Sequence, residues 1–190
     1  MLNNIIEKNF LEHQKLQIKV KNLFRKKINL ISNKIIKNLK SKKKIMWCGN
    51  GGSATDSMHL SAEMVGRFNF NRKPFNSICL ASDIANLTCI SNDFDFSNIF
   101  DRQIEALGTK DDILFSLSTS GNSLNVVNAI KKARKKKIFT ISFLGKTGGK
   151  CKGLSNIEII VPSKSTARIQ EMHMLMGHTI CEIVENKIGK

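Results

Sequence analysis

The ten residues Ile45-Met46-Trp47-Cys48-Gly49-Asn50-Gly51-Gly52-Ser53-Ala54 set the fold class. Four apolar residues run straight into a turn with three glycines, and a helical pattern begins directly behind it. Glycine carries no Cβ, so backbone N–H groups in such a turn can approach a ligand closely. The N-terminus of the helix that follows attracts negative charge. Ser53 can cap that helix or offer its hydroxyl to a ligand oxygen. The turn has neither the G-x-G-x-x-G spacing of a dinucleotide fold nor the Gly-Lys-Ser/Thr ending of a P-loop, so neither a dinucleotide nor ATP is implied.

The strand–turn–helix unit recurs. Apolar runs at 45–48, 77–81, 113–117, 138–143 and 157–161 are each followed by a turn signal, and most of them by a helical pattern. Strands alternating with helices predict an α/β fold whose parallel sheet is covered on both faces. The third run leads into Ser118-Thr119-Ser120-Gly121-Asn122-Ser123 and then a helix over 126–133. Four hydroxyls around a glycine form a dense donor set for phosphate oxygens, or else an elaborate helix cap. Ligands of open α/β sheets bind at the carboxyl ends of strands, so two such loops together point to an anionic-sugar site.

The flanks are helical. Ile6, Phe10, His13 or Leu16, Val20 and Leu23 recur at steps of three or four, as do Ile28, Ile31, Ile35 and Leu39. This spacing predicts two amphipathic helices with the basic run Arg25-Lys26-Lys27 between them. The segment 167–190 predicts a long C-terminal helix with Ile169, Met172, Leu175, Ile180, Ile183 and Val184 on its apolar side. The chain shows no linker or repeat and reads as one domain, with N-terminal helices over 1–42 and an α/β core over 43–190.

Composition excludes several alternatives. With 190 residues the chain can bury a sizeable core without disulfides or a structural metal. No apolar run approaches the ~20 residues needed to cross a bilayer, and the N-terminus has no signal-peptide pattern, so a cytoplasmic protein without membrane contact is expected. Five cysteines lie scattered, with no C-x-x-C pair, which argues against a disulfide framework or zinc ribbon. Cys48 and Cys79 fall in strand runs and read as small buried hydrophobes. The net charge of +16 raises a nucleic-acid reading. Its lysines are dispersed, however, and runs such as Lys42-Lys43-Lys44 and Arg134-Lys135-Lys136-Lys137 follow helical patterns, where cations suit helix C-termini. The chain has no Tyr, and the basic runs lack interleaved aromatics. Solvated faces that help draw in anionic substrates are expected, and no nucleic-acid partner.

Gly49-Asn50-Gly51-Gly52-Ser53 and Ser118-Thr119-Ser120-Gly121-Asn122-Ser123 resemble the substrate loops of sugar-isomerase (SIS) domain proteins. Asp56, Met58-His59, Glu63, Gly66-Arg67, Asn92-Asp93-Phe94 and Arg168-Ile169-Gln170-Glu171 extend the resemblance, along nearly the whole chain, to the bacterial phosphoheptose isomerase family. Only the first forty or so residues match by helical character alone. The resemblance implies a flavodoxin-like, five-stranded parallel sheet and a homotetramer with active sites at subunit interfaces. It implies an aldose–ketose isomerase acting on sedoheptulose 7-phosphate, with one zinc per subunit held by His59, Glu63, Gln170 and His178. In that family the position of Glu63 is the base and that of His178 the acid. The substrate-binding positions fall on Asn50, Gly51, Gly52, Ser53, Glu63, Arg67, Asn92, Asp93, Ser118, Thr119, Ser120, Ser123 and Gln170.

The residues themselves say less. His59 and Glu63, four apart on a predicted helix, share one face, as would any surface pair. Gln170 and His178 are separated by ~12 Å of rise and ~80° of rotation on an ideal helix. Sharing one metal would need an irregular helix near Gly177 or ligands from different subunits. Ala62 and Ala167 stand where acidic residues occur in the family or in some of its members, and His13 and His173 have no assigned role. A related SIS adaptor that binds the bacterial replication initiator shares the loops and the run from Arg168 to Leu175. It does not keep Glu63 and His178.

Overall fold

In the computed structural model, which describes residues 2–189, five strands form the sheet: β1 (Ile45–Cys48), β2 (Ser77–Cys79), β3 (Ile113–Ser118), β4 (Phe139–Gly145) and β5 (Ile157–Val161). All neighbours pair in parallel, in the order β2-β1-β3-β4-β5. This is the expected flavodoxin-like order. The chain builds outward from β1 to β2, then returns to β3 on the other side and continues to β5, so strand order reverses between β1 and β3. β1 and β3 are buried at every position, as continuous runs inside a covered parallel sheet must be. The edge strand β2 stops two residues before the expected 81, because Leu80 and Ala81 turn away into the connection that follows. β4 runs two residues past the expected 143 and carries Leu144 and Gly145 to the carboxyl edge.

Among the described residues six α-helices cover the sheet: α1 (Leu2–Lys40), α2 (Gly52–Val65), α3 (Ile84–Asp93), α4 (Asp101–Leu107), α5 (Leu124–Lys135) and α6 (Thr166–Ile188). α1, α2 and α6 pack on one face, and α5 with α4 on the other. The two N-terminal helices expected from periodicity are a single helix of 39 residues. Arg25-Lys26-Lys27 does not interrupt it, since arginine and lysine are good helix formers and neither glycine nor proline lies in the stretch. Along α1, Leu16, Val20, Ile31 and Ile35 are buried, whereas Ile6, Phe10 and Leu23 are exposed. On α6 the apolar side holds for Ile169, Met172, Ile180 and Val184. Leu175 and Ile183 instead line a groove against Gln17, Val20 and Ile28 of α1.

The core under α1, α2 and α6 contains an aromatic row crossing three strands. Trp47 stacks on Phe115 at 4.5 Å, Phe115 meets Phe143 edge-on at 4.7 Å, and Phe143 faces His173 of α6 at 5.6 Å. Each such buried aromatic contributes on the order of 2–3 kcal/mol by burial alone. The indole N–H of Trp47 donates to Ser77 Oγ at 2.8 Å, so its polar edge is satisfied. Cys48 and Cys79 are buried, as expected.

The basic runs supply structural pairs. Lys44 Nζ lies 2.6 Å from Asp112 Oδ2. Burial alone would raise that carboxyl, but Lys44 and the Thr109 N–H outweigh it and hold it below the usual range. Lys132 and Lys136, near the end of α5, both pair with Glu105. Among the described residues no helix is long and apolar enough to cross a membrane.

Candidate active site

The carboxyl ends of β1 and β3 flank the crevice at which strand order reverses, and the two predicted loops form its lips. They are joined by an amide pair. Asn50 Nδ2 donates to Asn125 Oδ1 at 2.8 Å, and Asn125 Nδ2 donates to Asn50 Oδ1 at 2.9 Å. Sequence reasoning missed Asn125, which is buried in the first turn of α5 and carries no local signal of its partner.

In the second loop, Ser118 Oγ accepts from Gly121 N and Ser120 Oγ from Asn122 N, each at 3.1 Å. Those hydroxyls shape the turn as acceptors and keep their own protons for another partner. Gly121 has φ +65°, and a Cβ there would stand 2.0 Å from the Gly148 carbonyl oxygen, so only glycine fits. Ser123 occupies the N-cap position of α5, yet its side chain makes no capping bond. The cap reading therefore fails for Ser123, and its hydroxyl is available. Gly51 likewise begins α2 without a side-chain cap, while Ser53 is buried beneath the first lip.

His59 and Glu63 of α2 meet His178 of α6. His59 Nε2 lies 3.1 Å from Glu63 Oε1 and 3.2 Å from His178 Nε2, and the three donor atoms lie within 4.8 Å of one another. α2 and α6 run in the same direction, because each follows a strand of a parallel sheet on the same face. Gly177 lets them close: a Cβ there would stand 2.7 Å from both methyls of Leu60. A tetrahedral zinc with bonds of about 2.0 Å keeps its ligand atoms about 3.3 Å apart, and two imidazoles with a carboxylate are donors that zinc accepts. Both the spacing and the chemistry of the set fit that ion. Burial, and then the neighbouring His59, hold the His178 imidazole below its ordinary range against the opposing pull of Glu63. Phe68 covers one side of His178, with ring centroids 5.8 Å apart.

One turn before His59, Asp56 keeps Oδ2 buried and without a hydrogen-bond partner among the described residues. Burial pushes its carboxyl up to about 6, against the lowering effect of His59. Gln170 does not join the cluster. Its carboxamide lies over Gly52, where a Cβ would stand 2.0 Å from Nε2. α6 is helical without interruption through Gly177, which rules out the irregular helix considered from sequence, and Gln170 stays two turns from His178. The cluster is correspondingly set back, since His59 lies ~10 Å along α2 from Gly52. Arg67 is exposed just beyond α2, and Asn92 and Asp93 are exposed in the last turn of α3, where Asn92 Nδ2 donates to Asp93 Oδ1 at 2.9 Å.

The sequence pattern of the SIS domain matches residues 10–145. A phosphoheptose isomerase of Aliarcobacter butzleri (strain RM4018) is 44% identical over 188 residues, covering 99% of this chain and 100% of that one. The chain belongs to the phosphoheptose isomerase family of SIS-domain proteins. A second member, from a Nitratiruptor species, is 48% identical over 180 residues, 95% of this chain and 96% of its own. The solved structure of a phosphoheptose isomerase from Francisella tularensis has 32% identity and a TM-score of 0.95, covering 98% of this chain and 99% of that one. The chain is accordingly a sugar-phosphate isomerase with the α/β architecture of its family.

Within this family member, the two histidines without a role from sequence have structural ones. His13 of α1 donates from Nδ1 to Glu171 Oε2 at 2.7 Å. Arg168 pairs with the other oxygen of Glu171 and donates to the Asn9 carbonyl at 2.7 Å, so α1 is tied to the first turn of α6. His173 is fully buried, with Nε2 donating to the Leu144 carbonyl at 3.1 Å and Nδ1 unpartnered. Ala62 and Ala167, the two departures from the family pattern, are both exposed.

Proposed function

We propose that this isomerase converts sedoheptulose 7-phosphate to D-glycero-D-manno-heptose 7-phosphate through an enediol(ate). The product would feed ADP- or GDP-heptose synthesis for surface glycans such as lipopolysaccharide. The observation carrying the mechanism is the convergence of His59, Glu63 and His178, from two helices, on one point. The heptose substrate rests on the names of the relatives that match over almost the whole chain.

In this reading the serine-rich loop and the N-terminus of α5 bind the phosphate, with Ser120 and Ser123 donating hydroxyl protons. The Glu63 carboxylate takes the proton from one sugar carbon and returns it to the neighbouring carbon. His178 moves protons between the two oxygens. His59, Glu63 and His178 would hold zinc, one per subunit, and the ion when bound supplies Lewis-acid polarisation of the sugar oxygens. Gln170, over Gly52, reaches the substrate from the loop side. The setback of the cluster from the loops supports a homotetramer in which active sites form where subunits meet. An SIS adaptor would have no use for Glu63 and His178 converging on His59, and that convergence favours the enzyme.

The test is Glu63→Gln, which keeps size and an amide oxygen while removing the base. Turnover of sedoheptulose 7-phosphate is expected to fall by ~10²–10⁴-fold with the fold intact. Wild-type protein is expected to take up stoichiometric zinc, and chelation to lower its melting temperature by linkage. Wild-type turnover in folded Glu63→Gln would overturn the mechanism. Faster turnover of another ketose phosphate would reassign the substrate.

A further inference from the structure

Below the donor cluster, the loop after α2 folds back over the end of α6 around one buried ion pair. Glu185, near the C-terminus of α6, is completely buried. Its Oε1 accepts from Phe68 N at 2.8 Å and from Arg72 Nε at 3.0 Å, and its Oε2 accepts from Asn69 N at 2.6 Å. The Arg72 side chain is 1% exposed and has its guanidinium 3.9 Å from the centre of the Phe75 ring. The rest of its fork turns to the end of α2. Nη2 donates to the Glu63 carbonyl at 2.7 Å, and Nη1 to the Met64 carbonyl at 2.9 Å and the Gly66 carbonyl at 3.3 Å.

These partners belong to the site. The last carbonyls of α2 lack intrahelical donors, and a guanidinium satisfies several at once where an ammonium reaches fewer. One of those carbonyls is that of Glu63. The two backbone N–H groups held by Glu185 are those of Phe68 and Asn69, and Phe68 lies against His178. Glu185 itself is seven residues beyond His178 on α6, two turns along the same face. The backbone of Glu63, the ring covering His178 and the helix carrying His178 are therefore fixed to one another through Arg72 and Glu185. A buried ion pair adds little net stability over apolar residues of the same volume, because desolvation offsets attraction. What this pair provides is a defined geometry.

We infer that Arg72 and Glu185 are positioning residues for the isomerase reaction, setting the backbone of Glu63 relative to His178 without touching the sugar. The inference rests on the roles given above to Glu63 and His178, and the test separates failure of one from failure of the other.

Three variants are compared with wild type and Glu63→Gln: Glu185→Gln, Arg72→Lys, and the apolar double Arg72→Met/Glu185→Leu. Circular dichroism selects the conditions in which each is folded. The readouts are kcat and KM on sedoheptulose 7-phosphate, and the imidazole nitrogen NMR signals of His59 and His178, which report the geometry of the cluster whether or not turnover occurs. A displacement of about 1 Å at a reacting group is worth up to ~100-fold in rate, so kcat is expected to fall roughly 10–100-fold in the folded variants. KM should stay within about threefold, since the phosphate loop is untouched. Arg72→Lys should not rescue, because it keeps the charge and loses the fork. The imidazole signals should move in all three. Folded variants with wild-type kcat and unmoved imidazole signals, or three variants that never fold, would reduce the pair to scaffold and overturn the inference. Moved signals in the variants, beside a Glu63→Gln protein as active as wild type, would support the positioning and reject the role given to Glu63.

Discussion

His173 packs against Phe143 with one ring nitrogen bonded to the Leu144 carbonyl and the other facing no partner, and burial brings its imidazole down from 6.5 to about 4. A histidine whose folded value is depressed stays neutral in the native state while the unfolded chain takes up its proton. Stability from this group is complete above pH 6.5 and is lost as pH falls from 6.5 to 4, by about 3 kcal/mol in all. His173→Gln can donate to the same carbonyl and is neutral at every pH. It should be about 1 kcal/mol less stable than wild type at pH 7, yet lose about 2 kcal/mol less between pH 7 and pH 5. Urea unfolding at the two pH values measures this, and an unchanged pH slope in the variant would clear His173 as its source. The burial of His173 is legible in the sequence, because it falls on the same helical stripe as Ile169, Met176 and Ile180. The pairings across the site are not. His59 and Glu63 show their shared face through a spacing of four, but His178 lies 119 residues from His59, and nothing local in either segment encodes the meeting. Asn125 and Glu185 are invisible for the same reason, since their partners lie 75 residues and more than a hundred residues away.

At the scale of elements, the contact between α2 and α6 turns on Gly177. Alanine there gains about 1 kcal/mol in helix propensity but drives a methyl into Leu60, which is fully buried and has no room to yield. Overpacking of that kind costs about 1–3 kcal/mol, so Gly177→Ala is expected to be net destabilised by roughly 1 kcal/mol. In the Gly177→Ala background, Leu60→Ala should cost less than it does in wild type, and urea melts of the four proteins give the coupling. Additive effects would mean that the helices are not in contact at this point. The strands themselves are legible: the expected 157–161 matches β5 to the residue, because Ile157, Ile159, Ile160 and Val161 are β-branched and Glu158 falls on the less buried face, between polar turns. Splitting α1 in two treats a run of cations as an interruption, whereas helices end where caps, glycine or proline end them. Only tertiary contacts show that the stripe of α1 is bare at Ile6, Phe10 and Leu23 and buried at Leu16, Val20, Ile31 and Ile35.

For the molecule as a whole, the exposed apolar side chains of α1 stand out. Leu2, Ile5, Ile6, Phe10, Leu11, Ile18 and Leu23 are all at least 48% exposed, and monomers rarely present large contiguous apolar patches. In the proposed tetramer α1 would pack between subunits, and light scattering is expected to give about four times the chain mass of 21.3 kDa. Phe10→Glu with Leu23→Glu should dissociate it while leaving the α/β core folded, and a monomeric wild type would refute the assembly. α3 and α6 begin on Asp83 and Ser165, whose side chains bond a first-turn N–H, whereas α2 and α5, the helices that open on the crevice, begin without such a bond. A missing cap weakens a helix by up to about 1 kcal/mol, and by only a few tenths where glycine holds the N-cap, as Gly51 does in α2. An anionic ligand seated between the lips would supply both caps, so ligand is expected to slow unfolding and degradation. The lifetime of this protein in a cell is then expected to lengthen with the amount of sugar phosphate that cell contains, which pulse-chase labelling at two substrate levels would check.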